Sequence, residues 1–312
     1  MLVEALQKQS GLPTSVIMRI AETASKRYKA YKIPKRSGGW RDISHPSREL
    51  KAIQRWINRT LFMKLPIHES ATAYAKGSGI RRNAEIHAWS SYTLRLDFEN
   101  FFPSFDIHGI SEFIAAQSDE REWGLTKQDV LFVGMVVTRY GRMTIGAPSS
   151  PILTNAMMYM LDSELAEISE KRKLSYTRYA DDIFLSAYAP DSLADMIPIA
   201  KEIVGRQKFV RLKFADEKTA HLSKRYKRSI TGLVVTPDQK ISIGRERKRT
   251  IKSLVFRFIN GELGDVELMR LSGTIAFVYD VERAFYDSLV RKYGEDVIGK
   301  IQKPHLADAE ST

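Results

Sequence analysis

Tyr179-Ala180-Asp181-Asp182 is the stretch that most narrows the folds open to this chain. Leu174-Ser175-Tyr176-Thr177 precedes it and Ile183-Phe184-Leu185 follows, both apolar and β-prone. The pattern predicts a hairpin over 174–187 with two carboxylates at its tip. Adjacent like charges repel and lose solvation in a buried turn. The same pair suits a divalent cation, whose ligands are hard oxygens. A third acid of the right kind is Asp97. It closes the alternating run Tyr92, Leu94, Leu96 and precedes Phe98-Glu99-Asn100-Phe101-Phe102-Pro103-Ser104. Alone, an acid at a strand end is an ordinary turn residue. Joined to Asp181 and Asp182 from a second strand end, it completes a carboxylate set able to hold two Mg²⁺ ions roughly 3.5–4 Å apart.

The charge is as unevenly placed as the acids. Lys201–Lys252 carries 16 Lys/Arg against 5 Asp/Glu, which is nearly all of the chain's net charge of +12. Phe209 and Tyr226 interleave these cations. A basic region with aromatics predicts a polyanion track, and nucleic acid in particular. Cysteine is absent, which excludes disulfides and Cys-ligated zinc. No run of about 18 apolar residues is present, so no membrane partner is expected. The first residues contain an acid and lack a basic stretch followed by an apolar core, as a secretory leader would have. A cytoplasmic home is the expectation.

The elements intermix. A β-hairpin is predicted over Tyr31–Ile43, turning at Ser37-Gly38-Gly39. Leu50, Ile53, Ile57 and Leu61 make an amphipathic helix started by Ser47. Helices are predicted at 107–117, 126–140, 149–172 and about 191–206, and short strands near 209–214, 230–235 and 240–243. From Arg245 the tail reads as three helices. Strands at irregular spacing among helices predict an α+β fold rather than a doubly wound sheet. No Gly-rich phosphate loop of the P-loop or dinucleotide type occurs. The six His include no His-x-x-x-His pair for a metal.

Over about residues 28–295 the chain resembles a bacterial retron reverse transcriptase. Lys32-Ile33-Pro34-Lys35-Arg36-Ser37-Gly38-Gly39-Trp40-Arg41 with Pro46–Lys51 resembles the first fingers motif. Leu94–Ser104 resembles the motif of the first catalytic Asp, and Gly146-Ala147-Pro148-Ser149-Ser150-Pro151 with Asn155 the template and nucleotide motif. Tyr176–Asp182 resembles the catalytic hairpin, and Glu217-Lys218-Thr219 the lysine motif after it. Two further signatures are similar to those of retron enzymes: Asn83-Ala84-Glu85-Ile86-His87, and Ile230-Thr231-Gly232 where the usual first residue is Val. One position departs: Ile145 stands where many reverse transcriptases have Gln before this Gly, so that nucleotide contact is not carried over.

The resemblance implies a right-hand polymerase: fingers over 1–90, an antiparallel palm over 91–244, and a short helical thumb over 245–312. It implies that Asp97, Asp181 and Asp182, with the Phe98 backbone carbonyl, hold two Mg²⁺ ions, Mn²⁺ being a possible substitute. Lys35, Arg36 and Arg41 would clamp the triphosphate of a dNTP. Phe102 would lie under the deoxyribose and exclude a 2′-OH, Ala147 and Pro148 would line the nucleotide site, and Lys218 would protonate pyrophosphate. Asn83, His87, Lys224, Arg225, Lys227, Arg228, Thr231, Gly232, Arg245, Arg247, Lys248, Arg249 and Lys252 would meet RNA. The implied partners are a cognate noncoding RNA read as template and primer, its branched DNA product, and an effector protein of anti-phage defence. The alternatives are an enzyme of a group II intron or a diversity-generating element, an RNA-templated RNA polymerase opposed by Phe102, or a silent RNA-binding scaffold opposed by the three acids.

Overall fold

The computed structural model describes residues 1–35, 38–75, 77–226 and 228–303. Helix α1 (Leu2–Ser10) stops at Gly11, whose φ of 72° suits a residue without a β-carbon. Helix α2 (Thr14–Glu22) leads to a hairpin of β1 (Tyr28–Pro34) and β2 (Trp40–Pro46), in antiparallel register from Tyr28↔Pro46 to Pro34↔Trp40. Ser47 caps α3 (Arg48–Thr60) by accepting the Leu50 N–H, and the helix buries Leu50, Ile53, Trp56 and Ile57. Then come α4 (Ile80–Ala88), β3 (Tyr92–Asp97), α5 (Ile107–Glu120) and α6 (Lys127–Val137). Thr126 and Asp129 form a reciprocal capping box on α6. Asp129 also accepts the Leu2 N–H at 2.8 Å, which ties α1 to α6.

The single helix expected over 149–172 is two, α7 (Ser150–Met157) and α8 (Tyr159–Lys171). After them come β4 (Ser175–Tyr179), β5 (Asp182–Ala187) and α9 (Met196–Gly205). The segment 209–214 forms no strand; Phe214 makes one isolated bridge to Phe98. Strand β6 (Ala220–Ser223) follows instead, then β7 (Arg228–Ile230), β8 (Leu233–Val235) and β9 (Ile241–Ser242). Among the described residues the tail holds four helices: α10 (Arg245–Ile259), α11 (Asp265–Val281), α12 (Arg283–Tyr293) and α13 (Glu295–Gln302).

The chain divides into two compact units. One comprises Met1–Gly77 and Thr93–His221, the other Ser78–Tyr92 and the chain from Leu222 onward. The first is built on a sheet of order β4-β5-β3-β6. Leu94 and Leu96 of β3 and Ile183, Phe184 and Leu185 of β5 are buried in its core. In the second, α4 lies on the antiparallel meander β7-β8-β9. Ala84 and Ala88 on its buried face let the helix sit close to Ile230, Leu233 and Val235. The tail helices share a core of Val255, Leu271, Ile275, Val278, Leu289 and Ile301.

Candidate active site

The hairpin β4-β5 turns as expected, with Tyr179 paired to Asp182 and Ala180-Asp181 as its two loop residues. Ala180 takes φ 56°, a left-handed conformation that costs a residue with a β-carbon about 1–2 kcal/mol. The side chain just before the turn compensates. Arg178 is completely buried, and its guanidinium forks onto Asp162 of α8 through Nε–H to Oδ1 at 2.8 Å and Nη2 to Oδ2 at 2.7 Å. Its Nη1 donates to the Ala180 carbonyl and to Asn155 Oδ1 of α7, each at 3.1 Å. Asp162 also accepts the Tyr176 hydroxyl at 2.7 Å, and Asn155 donates to the Ala73 carbonyl at 2.9 Å. The acid turn is thereby fastened from beneath by two helices.

Asp97 arrives from the other side. The Phe98 N–H donates to the Asp181 carbonyl at 3.2 Å, joining the two strand ends. The Asp97 carbonyl accepts the Ala215 N–H at 2.8 Å, and Glu99 N–H donates to the Lys213 carbonyl at 2.9 Å. In that bridge pattern the amide and carbonyl of Phe98 itself face away from Phe214, on the side of the acid turn. The same lacing brings up Lys218, whose ammonium donates to Asp97 Oδ1 at 2.6 Å. The contact raises the Lys218 pKa. Arg95 Nε stands 4.0 Å from Asp182 Oδ1.

The three acids feel one another. Burial raises the Asp181 carboxyl, and the charge of Asp97 raises it further, against Arg41 and Lys218. Burial and then the charges of Asp181 and Asp97 push Asp182 up to about 7, against Arg95 and Lys218. Such a group is short of positive charge. Its donors are hard carboxylate oxygens, which fit a divalent cation. Among the described residues no three His, Cys, Asp or Glu are already closed into a metal-holding cluster. The acids rest on Lys218 and Arg95 instead.

Around them, Arg41 is exposed on β2 and within electrostatic reach of Asp181. Lys35 is exposed where the β1-β2 turn closes through its N–H to the Gly39 carbonyl. Arg36 lies outside the described residues. The two phenylalanines after Asp97 separate clearly: Phe101 is buried against Phe98 and Phe105, whereas Phe102 is half-buried with its ring edge-on to Phe101. Gly146 has φ 112°, and a β-carbon there would lie 2.8 Å from the Ser44 carbonyl of β2. Beside it the Ile145 carbonyl accepts the Ser44 N–H at 2.8 Å. That close approach tucks Ala147 into the interior, so Ala147 offers a nucleotide no surface, contrary to expectation. Pro148 stays half-buried, its carbonyl accepting the Asn58 amide at 2.9 Å.

The residues expected to meet RNA gather in the second unit, and several are not at its surface. Asn83 and His87 are fully buried where α4 meets the meander. Burial and the nearby charge of Arg228 depress His87 to about 3, so its ring is neutral. Both are packing residues, which corrects the expected contact. Arg228 is only 1% exposed and donates to the Ala88 carbonyl at 2.8 Å and to the Ser90 carbonyl, closing the C-terminal end of α4. Lys248 pairs with Glu282, which also accepts from Ser242 and the Ile243 N–H. Its charge is spent inside the unit, a second correction. Lys227 lies outside the described residues. Thr231 and Gly232 form the two-residue turn between β7 and β8, with φ 47° and 80°. Positive φ at both positions is the hairpin-favoured geometry, and a β-branched residue adopts it only under strain. The Thr231 hydroxyl answers by donating to the Ile80 carbonyl at 3.1 Å. The two retron-like signatures, far apart in sequence, thus meet in one module. Arg225, Arg245, Arg249 and Lys252 are exposed, while Lys224 and Arg247 are half-buried.

The reverse transcriptase (RNA-dependent DNA polymerase) family matches residues 33–254. Retron Ec83 reverse transcriptase of Escherichia coli is 39% identical over 281 residues, covering 88% of this chain and 90% of its own length. Retron Ec73 reverse transcriptase, also of Escherichia coli, is 31% identical over 91% of each chain. The chain belongs to the retron reverse transcriptases. It is an RNA-directed DNA polymerase. A solved telomerase from Candida albicans, in complex with a TWJ fragment of telomeric RNA, matches 93% of this chain and 58% of its own at 14% identity and a TM-score of 0.50. That likeness concerns the fold alone, and it agrees with the α+β right-hand architecture. A reverse transcriptase depends on divalent metal, and the acid group of this retron enzyme has the donor chemistry for it. No helix among the described residues is long and apolar enough to cross a membrane.

The sequence missed the fastening under the acid turn. Arg178 and Asp162 are 16 positions apart on different elements. A signal existed: a charged residue within an apolar strand demands a buried partner, and Asp162 interrupts the buried stripe of Leu161 and Leu165.

Proposed function

We propose that this retron reverse transcriptase copies part of a cognate structured noncoding RNA into branched single-stranded DNA, starting from the 2′-OH of an internal guanosine. Fingers would span 1–90, palm 91–244 and thumb 245–312. The observation that supports the polymerase chemistry most directly is the meeting of Asp97, Asp181 and Asp182 at two joined strand ends, where each acid bears on the others' charge. Those carboxylates, with the Phe98 carbonyl, would hold two Mg²⁺ ions, or Mn²⁺ in their place. When bound, the ions lower the pKa of the attacking hydroxyl and neutralise the triphosphate.

The chain's own residues do the rest. Arg41 and Lys35 bind the triphosphate from the hairpin above the acids. Phe102 sets the floor for the sugar and leaves no room for a ribose 2′-OH. The hydroxyl oxygen bonds to the α-phosphorus as the bond to the β-phosphate oxygen breaks. Lys218, already on Asp97, gives a proton to the departing pyrophosphate. Lys224, Arg225, Arg245, Arg247, Arg249 and Lys252 hold the RNA through its phosphates, with Thr231 and Gly232 presenting the turn beside them. Anti-phage defence with a separate effector in the cytoplasm is the setting this reading implies.

The experiment is to purify the enzyme from its host with its bound nucleic acid. DNA whose size shifts after RNase or debranching treatment is expected. Unbranched DNA, or none, would overturn the 2′-OH priming and favour an intron or diversity-generating enzyme.

A further inference from the structure

A pocket of about 780 Å³ opens in the second unit, well apart in sequence from the acids. Arg228 is among the residues that line it. That guanidinium is 1% exposed, has no carboxylate paired with it among the described residues, and leaves its Nε without a hydrogen-bond partner. Its other two nitrogens donate to the Ala88 and Ser90 carbonyls, so the buried charge meets only neutral acceptors, and an anion brought to the pocket recovers part of that cost. A second donor set faces the same space. Helix α10 begins after Gly244 with no side-chain cap, and Gly244, Arg245 and Glu246 at its start line the pocket. Gly244 takes φ 89°, and a β-carbon on it would lie 3.1 Å from Val234 Cγ2. A bare glycine is what lets the helix start this close to β8. Arg245 and Arg249 add charge to the lining, with Glu246 the one acid in it among the described residues.

Other lining residues differ in kind. Val234 and Pro237 add apolar surface, and Tyr226, also in the lining, is 80% exposed. Cationic side chains, an uncapped helix start and apolar and aromatic surface in one lining match the two halves of a nucleotide, phosphate and base. The volume is ample for one nucleotide and too small for a duplex.

We propose that this pocket receives a single unstacked nucleotide of a structured RNA, its phosphate toward Arg228 and the first turn of α10 and its base against Tyr226. The proposal rests on the reading that this unit binds RNA, and adds that it recognises an irregularity in the RNA rather than a regular helix. Base stacking on an aromatic side chain corresponds to roughly 5- to 150-fold in affinity.

The test uses the full-length protein and two RNA hairpins, identical except that one carries a single bulged 2-aminopurine. Anisotropy should show the bulged hairpin binding at least about 5-fold tighter, with its fluorescence quenched on binding. Tyr226→Ala should abolish the quenching and reduce the preference. Thr236→Trp, which fills the pocket from its wall, should bring the bulged hairpin down to the affinity of the paired one. Equal binding of the two hairpins by the unaltered protein overturns the pocket and leaves the wider RNA reading standing. Failure to bind either hairpin overturns both. Displacement of the bulged hairpin by micromolar AMP would assign the pocket to a free nucleotide and overturn the proposal.

Discussion

Asp162→Asn tests whether the buried ion pair holds the acid turn. The substitution keeps the side chain's shape and removes its charge. Arg178 would then lie fully buried with no anionic partner, left with the neutral oxygens of Asn155, the Ala180 carbonyl and the new amide, whose NH2 would face a donor, and the Tyr176 hydroxyl would lose its charged partner. Breaking a buried pair from one side costs about 3–5 kcal/mol. At 2–4 °C per kcal/mol for a unit of this size, the melting temperature should fall by roughly 6–20 °C. The double replacement Arg178→Met with Asp162→Leu removes both charges and should recover most of that stability. It should not recover DNA synthesis, because the Ala180 carbonyl would still lack its guanidinium and the turn would be free to leave φ 56°. Differential scanning fluorimetry and primer extension read the two effects separately. If Asp162→Asn melts within about 2 °C of the parent, the pair is not what holds the hairpin. If the double variant polymerises at the parental rate, the coupling from Arg178 to the acids is wrong.

Asp181→Asn should abolish primer extension while RNA affinity is kept; measurable extension with Mg²⁺ would count against the metal assignment. Phe102→Ala should raise ribonucleotide incorporation in a competition of NTP with dNTP, and unchanged selectivity would remove the proposed role of its ring. Replacing Arg245 and Arg249 together by Gln should weaken RNA binding and flatten the plot of log affinity against log salt by about 1 to 2 units. The same slope in the variant would move the RNA track elsewhere. Gly146→Ala would drive a methyl group onto the Ser44 carbonyl and should raise the KM for dNTP with primer binding unchanged; an unaltered KM would show that the contact does not bear on the placing of the β1-β2 hairpin.

The sequence carried what depends on neighbours in the chain. The acid hairpin, the Asp97 strand end and the Ser47 cap all rest on local patterns and are found where those patterns put them. What depends on distant partners was hidden. Asn83 and His87 resemble exposed recognition residues until α4 is seen lying on the meander. The 230–235 segment reads as one strand because nothing in Ile230-Thr231-Gly232-Leu233 except one glycine marks a turn at Thr231. The break between α11 and α12 has no Gly or Pro; it falls at Glu282, whose carboxylate gathers Lys248, Ser242 and the Ile243 N–H. Lys248 and Arg249 look alike in sequence, and only the position of Glu282 tells which one remains available to a phosphate.

The contact of Gly146 with Ser44 also gives the β1-β2 hairpin a fulcrum. The Ser44 amide is clamped to the Ile145 carbonyl, while the five residues from Gly39 to Ile43 project beyond it. At about 3.3 Å per residue that arm is roughly 16 Å long. A tilt of about 10° at the clamp would swing the tip by about 3 Å over that length, and Arg41, nearer the pivot, by less. Mechanical advantage of this kind would let a small rotation at one glycine grade the distance between Arg41 and the acids, with the strands that carry the acids held still.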